Sequence, residues 1–499
     1  MTNTPHFESL VFFGDSWSDA GIAQSFFYQS FGVPMYSPEL TPYGRFTTGL
    51  NYADFLGQHL GVAPEDAMNF AIGGARLLTD RTWNEMVGGF LPPEDPNAEV
   101  RVDVGAQIER FLATLTPESD LTETAVSLLI GGNDILQIDF ATGTEAEIIA
   151  ASVAYGVEMA DAMMAQIQTL ADAGVVTLML YTSPGPATLP FSLVQTPERL
   201  LAGQVTGETL NAELAARVGE IEAMGIDVTV IEVGALMNEV AGDFASFGFQ
   251  TYLNPLTLDN YTVNPALVGI PFDQVAMLDG VHRTEAYDRI ASQFQFESLT
   301  SDVAIGMDER DVITGGIDAD MVLASGGSDT VMLEGGDDVA LGGLGNDRIE
   351  GALGNDLIAG GSGDDSIYGG AGRDVLVDNG GNDRMFGDAG RDVLIDGAGN
   401  DTAFGGGGAD AFVYTDQALL GGNSAADTNR FVGGEGTDTL FLRLTEDGAA
   451  AFENGDLTLA DLGITTQGIE NVVAVSGLDI PGLLSGNDLV VEADNWGFI

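Results

Sequence analysis

Two groups of residues in this chain could do chemistry. The first is a file of carboxylates: Asp311, Asp320, Asp329, Asp338, Asp347, Asp356, Asp365, Asp374, Asp383, Asp392, Asp401 and Asp410 lie nine residues apart without a break. Carboxylates and turn carbonyls are the hard oxygens that calcium prefers. The second group is Ser16, within Gly14-Asp15-Ser16-Trp17-Ser18-Asp19, and the distant pair Asp279 and His282. A hydroxyl becomes a nucleophile when a base near neutral pH takes its proton, and an imidazole needs a carboxylate to fix its tautomer. Asp279, three residues before His282 on a glycine-containing turn, can reach Nδ1 and leave the other nitrogen facing Ser16. The chain has only two further histidines. His6 sits in the N-terminal tail and His59 in an expected helix, and both read as surface or satisfied core residues.

The elements that must position Ser16 follow from hydrophobic patterning. Short apolar runs at Ser9–Phe13, Asp66–Ala71, Ala125–Ile130, Val175–Leu180 and Ile226–Val233 predict strands. Helical spacing predicts helices over Thr144–Ala173 and Pro197–Met224. Strand and helix in alternation imply a parallel sheet covered on both faces. In such a sheet, residues just past the carboxyl ends of the strands share one crevice. Three polar clusters fall there: Gly14 to Asp19, Asn69 to Ala75 with its Gly73-Gly74, and Gly131-Gly132-Asn133-Asp134.

The carboxylate file belongs to a different architecture. From Gly342 the repeating unit reads GGLGNDRIE, GALGNDLIA, GGSGDDSIY, GGAGRDVLV, with an apolar residue two positions after each Asp. A short fixed period of glycines, one Asp and one apolar residue implies a solenoid built one small turn at a time. The units before Gly342 are less regular, so calcium ligands are expected from Asp338, Asp347, Asp356, Asp365, Asp374, Asp383, Asp392, Asp401 and Asp410. Phe296–Ile305 reads as the hinge into the repeats. After Val413 the register breaks, and one stray unit ends at Asp438.

Composition narrows the function classes. The net charge is −60, which repels nucleic acid and anionic surfaces and attracts cations. All 16 basic residues are Arg, a pattern open to a saline habitat or to genome base composition. Cys is absent, which excludes a thiol nucleophile, cysteinyl zinc and disulfides. No cleavable signal pattern stands at Met1–Glu8 and no apolar run of about 20 residues is present, so no membrane span is expected.

These motifs carry two resemblances. Ser16, Gly74, Asn133 and His282, in that order and each placed after an element, resemble the GDSL, or SGNH-type, serine hydrolases over most of residues 9–295. Gly44-Arg45-Phe46-Thr47 and Leu210-Asn211-Ala212-Glu213-Leu214 point to the branch of lecithinases, haemolysins and autotransporter esterases. The motif departs from the family in reading Ser-Trp instead of Ser-Leu, and Arg283 follows His282 where Pro is common. The resemblance implies a three-layer α/β/α fold with a flavodoxin-like parallel sheet. It also implies Ser16 as nucleophile, His282 as base and Asp279 as its partner. The oxyanion would be held by the N–H groups of Ser16 and Gly74 and the Asn133 side-chain amide. Gly342–Val413 resembles the RTX calcium β-roll, GGxGxDxUx, an all-β parallel solenoid.

Together they imply residues 1–300 as hydrolase, 306–413 as roll, and 414–499 as a C-terminal cap carrying an uncleaved secretion signal or simply capping the edge strand. The implied function is a secreted ester hydrolase, a lipase or esterase extending to phospholipids. It would hold structural calcium and no organic cofactor, and use type I secretion machinery from a Gram-negative cell. A carbohydrate acetylesterase, and a calcium-dependent adhesive or structural surface protein with an inactive hydrolase domain, are the alternatives. The aromatic stretch Phe26, Phe27, Tyr28, Phe31, Tyr36 and Tyr43 could wall an acyl pocket or pack over the sheet.

Overall fold

The computed structural model describes residues 6–15, 17–19, 23, 50–73, 75–78, 82–86, 95, 97–138, 140–185, 189, 195–242, 244, 247, 249, 276–277, 284–307, 310–416 and 427–476. The chain divides into two units: Asn3–Asn238 with Gln250–Leu299, and Met1–Thr2 and Glu239–Phe249 with Thr300–Ile499.

In the first unit five short apolar runs become five parallel strands. They are β1 Ser9–Gly14, β2 Ala67–Asn69, β3 Thr124–Leu129, β4 Thr177–Tyr181 and β5 Asp227–Ile231. The order is β2-β1-β3-β4-β5, so the chain reverses direction across the sheet between β1 and β3. This is the doubly wound order with its crevice at the β1/β3 switch point. Every residue of β3 is buried, as expected of a parallel strand covered on both faces. Val11, Phe13, Val126, Leu128, Leu178 and Leu180 share one core with Ile167 and Leu210.

The helices start where their caps dictate. The first, α1, Tyr52–His59, opens on Asn51, whose side chain accepts from Asp54 N–H while Asp54 reaches back. Next come α2 Trp83–Met86, α3 Val104–Leu112 and α4 Gly132–Leu136. The long α5, Glu145–Asp172, has the same reciprocal cap in Thr144 and Glu147. It is long and apolar enough to cross a bilayer by composition, but its stripe of Ile148, Met159, Met163, Ile167 and Leu170 is buried in the core. The expected second long helix divides into α6 Pro197–Ala216 and α7 Val218–Ala223. Arg217 leaves helical geometry between them while its guanidinium holds Asp161 and Glu213. Then follow α8 Val233–Gly242 and α9 Glu285–Thr300.

The expected hinge is itself structured. Helix α9 runs through Phe296 to Thr300, and β6, Asp302–Ile305, already pairs with Asp320–Leu323. From there the second unit stacks parallel strands in two sheets. Among the described residues, nine even-numbered strands run from β6 to β22, Asn471–Ser476, and eight odd-numbered strands run from β7, Val312–Thr314, to β21, Ile464–Gln467. Neighbours within a sheet are two nonapeptides apart, as in Val339↔Leu357 and Leu357↔Val375. Each repeat's apolar residue points inward, so Ile358, Leu376 and Leu394 form a column facing Ile349, Ile367 and Met385. The turns tolerate only glycine at some positions: at Gly345, φ is +134° and a Cβ would lie 1.4 Å from the Gly327 carbonyl oxygen. Past the broken repeat register the ladder continues, and α10, Glu446–Asn454, packs Ala449 into the same core.

Candidate functional site

The turns at the carboxyl ends of β1, β2 and β3 are tied into one rigid rim. Gln107 on α3 bonds both sides of the Gly14 backbone, accepting from its N–H at 2.9 Å and donating to its carbonyl at 2.8 Å. Asp19 is fully buried, and its Oδ2 accepts from Gly73 N–H at 2.7 Å and from Ala23 N–H at 3.0 Å. That carboxylate therefore joins the turn after β1 to the turn after β2. Asn69 and Asn51 both donate to the Ser18 carbonyl, at 2.7 and 3.2 Å, and the Ser18 hydroxyl meets Tyr52 OH at 2.6 Å.

The third turn is set by Gly131, whose φ of +113° swings the chain from β3 into α4. This aims Asn133 back at the first turn, with Nδ2 3.4 Å from Asp15 Oδ2. Its neighbour Asp134 turns the other way and is buried. Its two oxygens accept from Leu77 and Leu78 N–H at 2.9 and 3.3 Å. Burial pushes this carboxyl above the usual range, partly offset by those two donors.

A cleft of about 550 Å³, counting its solvent-filled mouth, opens between these turns. Asp15 and Trp17 line one side and Gly132, Asn133 and Ile135 another. Ser183 and Pro184 after β4 form a further edge. That edge is held by Asn211 on α6, which accepts from Ser183 N–H at 2.8 Å and donates to its carbonyl at 3.0 Å.

Of the residues expected to act here, Asn133 lines the cleft. Ser16, Gly74, Asp279 and His282 lie outside the described residues, as do Phe26, Phe27, Tyr28, Phe31, Tyr36 and Tyr43. The immediate neighbours Asp15, Trp17, Gly73 and Ala75 are described and border the rim. His59, at the end of α1, packs its ring against Phe296 at 5.6 Å and is depressed in pKa by burial, so it serves packing. Sequence reasoning missed Asp19, Gln107 and Asn211 as the residues that fix the rim. Asp19 and Asn211 lay inside quoted motifs without a role assigned to them, whereas Gln107 acts through backbone contacts that no spacing announces.

The carboxylate file forms a continuous ladder in the second unit. Each Asp donates its backbone N–H to Oδ1 of the Asp 18 residues on, from Asp329 to Asp347 at 2.7 Å through Asp392 to Asp410 at 3.0 Å. The other oxygen of Asp338, Asp347, Asp356, Asp365, Asp374, Asp383, Asp392, Asp401 and Asp410 is buried without a partner. Asp329 and Asp438 have the same orphaned oxygen and belong with them. Asp311 and Asp320 differ, because their Oδ2 atoms accept from Met307 and Gly316 N–H at 2.7 and 2.6 Å. Without a cation, burial pushes up the carboxyls spaced nine residues apart from Asp329 to Asp410, to about 6 for Asp347 and Asp374 and about 8 for Asp356, Asp365 and Asp392. A row of buried carboxylate oxygens among turn carbonyls fits a row of hard cations.

At the end of the ladder the register step lengthens from 18 to 28. Asp401 N–H then meets Asn429 Oδ1 at 2.9 Å, and Asp410 N–H meets Asp438 Oδ1 at 3.0 Å. Glu470 closes the file by accepting from Asp438 N–H at 2.9 Å.

Comparison with known proteins agrees with both halves. The model of the GDSL-like lipase/acylhydrolase family matches residues 10–293. The RTX calcium-binding nonapeptide repeat matches overlapping stretches from 299 to 412. A GDSL esterase/lipase of Arabidopsis thaliana is 28% identical over 151 residues, 27% of this chain and 38% of that protein. The chain thus spans well under half the length of that relative. The crystal structure of phospholipase A1 from Streptomyces albidoflavus NA297 is similar at a TM-score of 0.32 and 14% identity, over 59% of this chain and 100% of that one.

Proposed function

The chain belongs to the GDSL-like lipase/acylhydrolase family, and from that premise we propose that its first unit hydrolyses carboxylic esters through an acyl-enzyme on Ser16. The observation that carries this reading is the position of Asn133. Its amide faces Asp15, the residue before Ser16, across a cleft at the switch point of the sheet. In this reading Ser16 Oγ attacks the ester carbonyl while His282 takes the proton and later returns it to the leaving alcohol. Asp279 holds the imidazole tautomer and stabilises the imidazolium. The Asn133 amide, with the N–H groups of Ser16 and Gly74, receives the charge that develops on the carbonyl oxygen. Rim residues Asp19 and Gln107 act by holding those donors still, since preorganised dipoles cost nothing to reorient during reaction.

Residues 306–413, continued by Asp438, serve as the calcium roll in this proposal. The nine aspartates from Asp338 to Asp410, with Asp329 and Asp438, hold the ions through their unpartnered oxygens. Calcium supplies the charge that lets these carboxylates stay ionised and buried, so its binding energy is the roll's folding energy. A unit that folds only when calcium is supplied suits passage through type I secretion machinery and folding outside the cell, with the address in 414–499. The substrate is read as a lipid ester.

The test is labelling with a fluorophosphonate, alongside hydrolysis of nitrophenyl esters of two to sixteen carbons and of phosphatidylcholine. Labelling abolished by Ser16→Ala and release of fatty acid are the expected results. Activity restricted to acetyl esters would replace the lipid substrate with an acetylated one. Failure to label a calcium-loaded, folded protein would overturn the nucleophile.

A further inference from the structure

Within the ladder the first glycine of each repeat has a defined outlook. At Gly342, Gly351, Gly360, Gly369, Gly387 and Gly405 a Cβ would stand 2.3–2.7 Å from Oδ2 of the Asp five residues on. Those are the oxygens left unpartnered along the row. Any side chain at this position therefore projects into the file of candidate cation sites. At two such positions, 378 and 396, the residue is Asp.

Asp378 and Asp396 are two nonapeptides apart, on the same edge of the roll, and are 0% and 2% exposed. With Asp401 they bring three carboxylates together, one oxygen of each within 4.8 Å of the others. Each uses one oxygen in a protein hydrogen bond. Asp378 Oδ1 accepts from Gly397 N–H at 2.5 Å, Asp396 Oδ2 from Asn429 Nδ2 at 2.9 Å, and Asp401 Oδ1 from Asp383 N–H at 2.8 Å. Each leaves the other oxygen, Oδ2, Oδ1 and Oδ2 respectively, buried without a partner. Asn429 takes the place an Asp holds elsewhere. Its amide both receives the Asp401 N–H and orients Asp396, which a carboxylate could not do.

We propose that Asp378, Asp396 and Asp401 form a distinct cation site inside the ladder, selective for a hard cation and binding calcium more tightly than the glycine-flanked sites. The inference rests on the reading of the ladder as a calcium roll and adds a difference in rank among its sites. Affinity in oxygen sites rises with the number of charged ligands and with rigidity. The ordinary rungs present one carboxylate per repeat, whereas this one gathers three whose remaining oxygens are already pinned. Mutual repulsion of three buried anions has no other relief among the described residues. The site would be the first filled and the last emptied, a nucleus from which parallel rungs add in both directions.

The register partner of Asp396 is Tyr414, a built-in antenna for lanthanide emission. The experiment titrates the calcium-free full chain with terbium, exciting tyrosine, and with calcium against a chromophoric chelator. Wild type should show a first equivalent at least about tenfold tighter than the rest. Its emission should fall in Tyr414→Phe while the affinity stays. The double change Asp378→Gly with Asp396→Gly restores the repeat's own residue at both positions, so the roll should still fold in excess calcium but lose the tight step. The isosteric pair Asp378→Asn and Asp396→Asn should weaken that step by a similar factor and guards against a packing artefact. An unchanged first equivalent in either double variant would overturn the inference and leave the roll reading intact. Absence of calcium binding in wild type would overturn both.

Discussion

Both units of this protein bury carboxylates, and they satisfy them in opposite ways. In the α/β unit Asp19 and Asp134 are buried, and each is fed by two backbone N–H groups. In the roll each Asp of the file spaced nine residues apart from Asp329 to Asp410 receives one N–H and keeps its second oxygen bare. The first arrangement is complete as protein alone. The second is finished only by something from solvent, because an unpaired buried charge is among the costliest features a fold can carry. The cores differ in the same sense. A five-stranded sheet with helices on it shares a broad core, whereas the roll offers one inward residue per repeat.

The largest expected effect follows from that contrast. Chelation at pH 8 should unfold the roll, seen as loss of most parallel β signal, while the α/β unit keeps its helices. Hydrogen exchange should report protection lost across 311–444 and kept in β1 and β3. Equal loss in both units would end the idea that only one of them is completed by metal.

Next is a test of the site against its scaffold. Asn133→Ala should lower kcat by roughly 10²–10³ with KM changed little, since the donor acts on charge that develops in the transition state. The thermal midpoint of the α/β unit should barely move, because the Asn133 side chain is only half-buried. A KM effect with kcat preserved would make Asn133 a binding residue instead.

The pH dependence of the metal-free roll sharpens the comparison further. Its aspartates have folded values raised to about 6 to about 8, from Asp347 to Asp392, because burial disfavours the charged form. The folded state then holds more protons than the unfolded one between the ordinary Asp range and those values. Stability of the metal-free roll is therefore fully present below the ordinary Asp range, falls as pH rises above that range, and is lost by about 8. With calcium the direction reverses, because the ions need the carboxylates ionised. Circular dichroism in chelator from pH 5 to 9 should show structure fading upward. Structure gained with rising pH in chelator would contradict the orphaned oxygens.

How much of this was legible in sequence also divides by unit. The roll could be read almost to the rung, since a nine-residue period fixes which side chains share a face. What escaped was chemical detail within the period. Asp311 and Asp320 keep the spacing yet bond their own turns, and Asp329 and Asp438 join the row from irregular repeats. In the α/β unit all five strands could be placed from apolar runs, while their order, and with it the switch point between β1 and β3, came from the pairing in the sheet. The fixing of the rim by Asp19, Gln107 and Asn211 could not, because it depends on side chains meeting backbone 28 to 93 residues away.

A smaller effect should follow from the column of rings on the roll's outer face. Tyr368, Phe386 and Phe404 occupy one register position on successive odd-numbered strands, and their rings stack at 4.8 and 4.9 Å, nearly parallel. Arg348 lies 4.3 Å over Tyr368 at one end and Arg430 5.6 Å from Phe404 at the other. Stacking of this kind contributes about 0.5–1.5 kcal/mol per pair beyond area. Phe386→Ala breaks both pairs at once, so about 1–3 kcal/mol is expected in calcium-saturated protein, read as a lower denaturant midpoint for the roll alone. The calcium stoichiometry should not change, because these rings point away from the aspartate file. If Phe386→Ala instead removed ions, the column and the ladder would be one cooperative system. The metal would then be holding strand register as well as completing the buried charge.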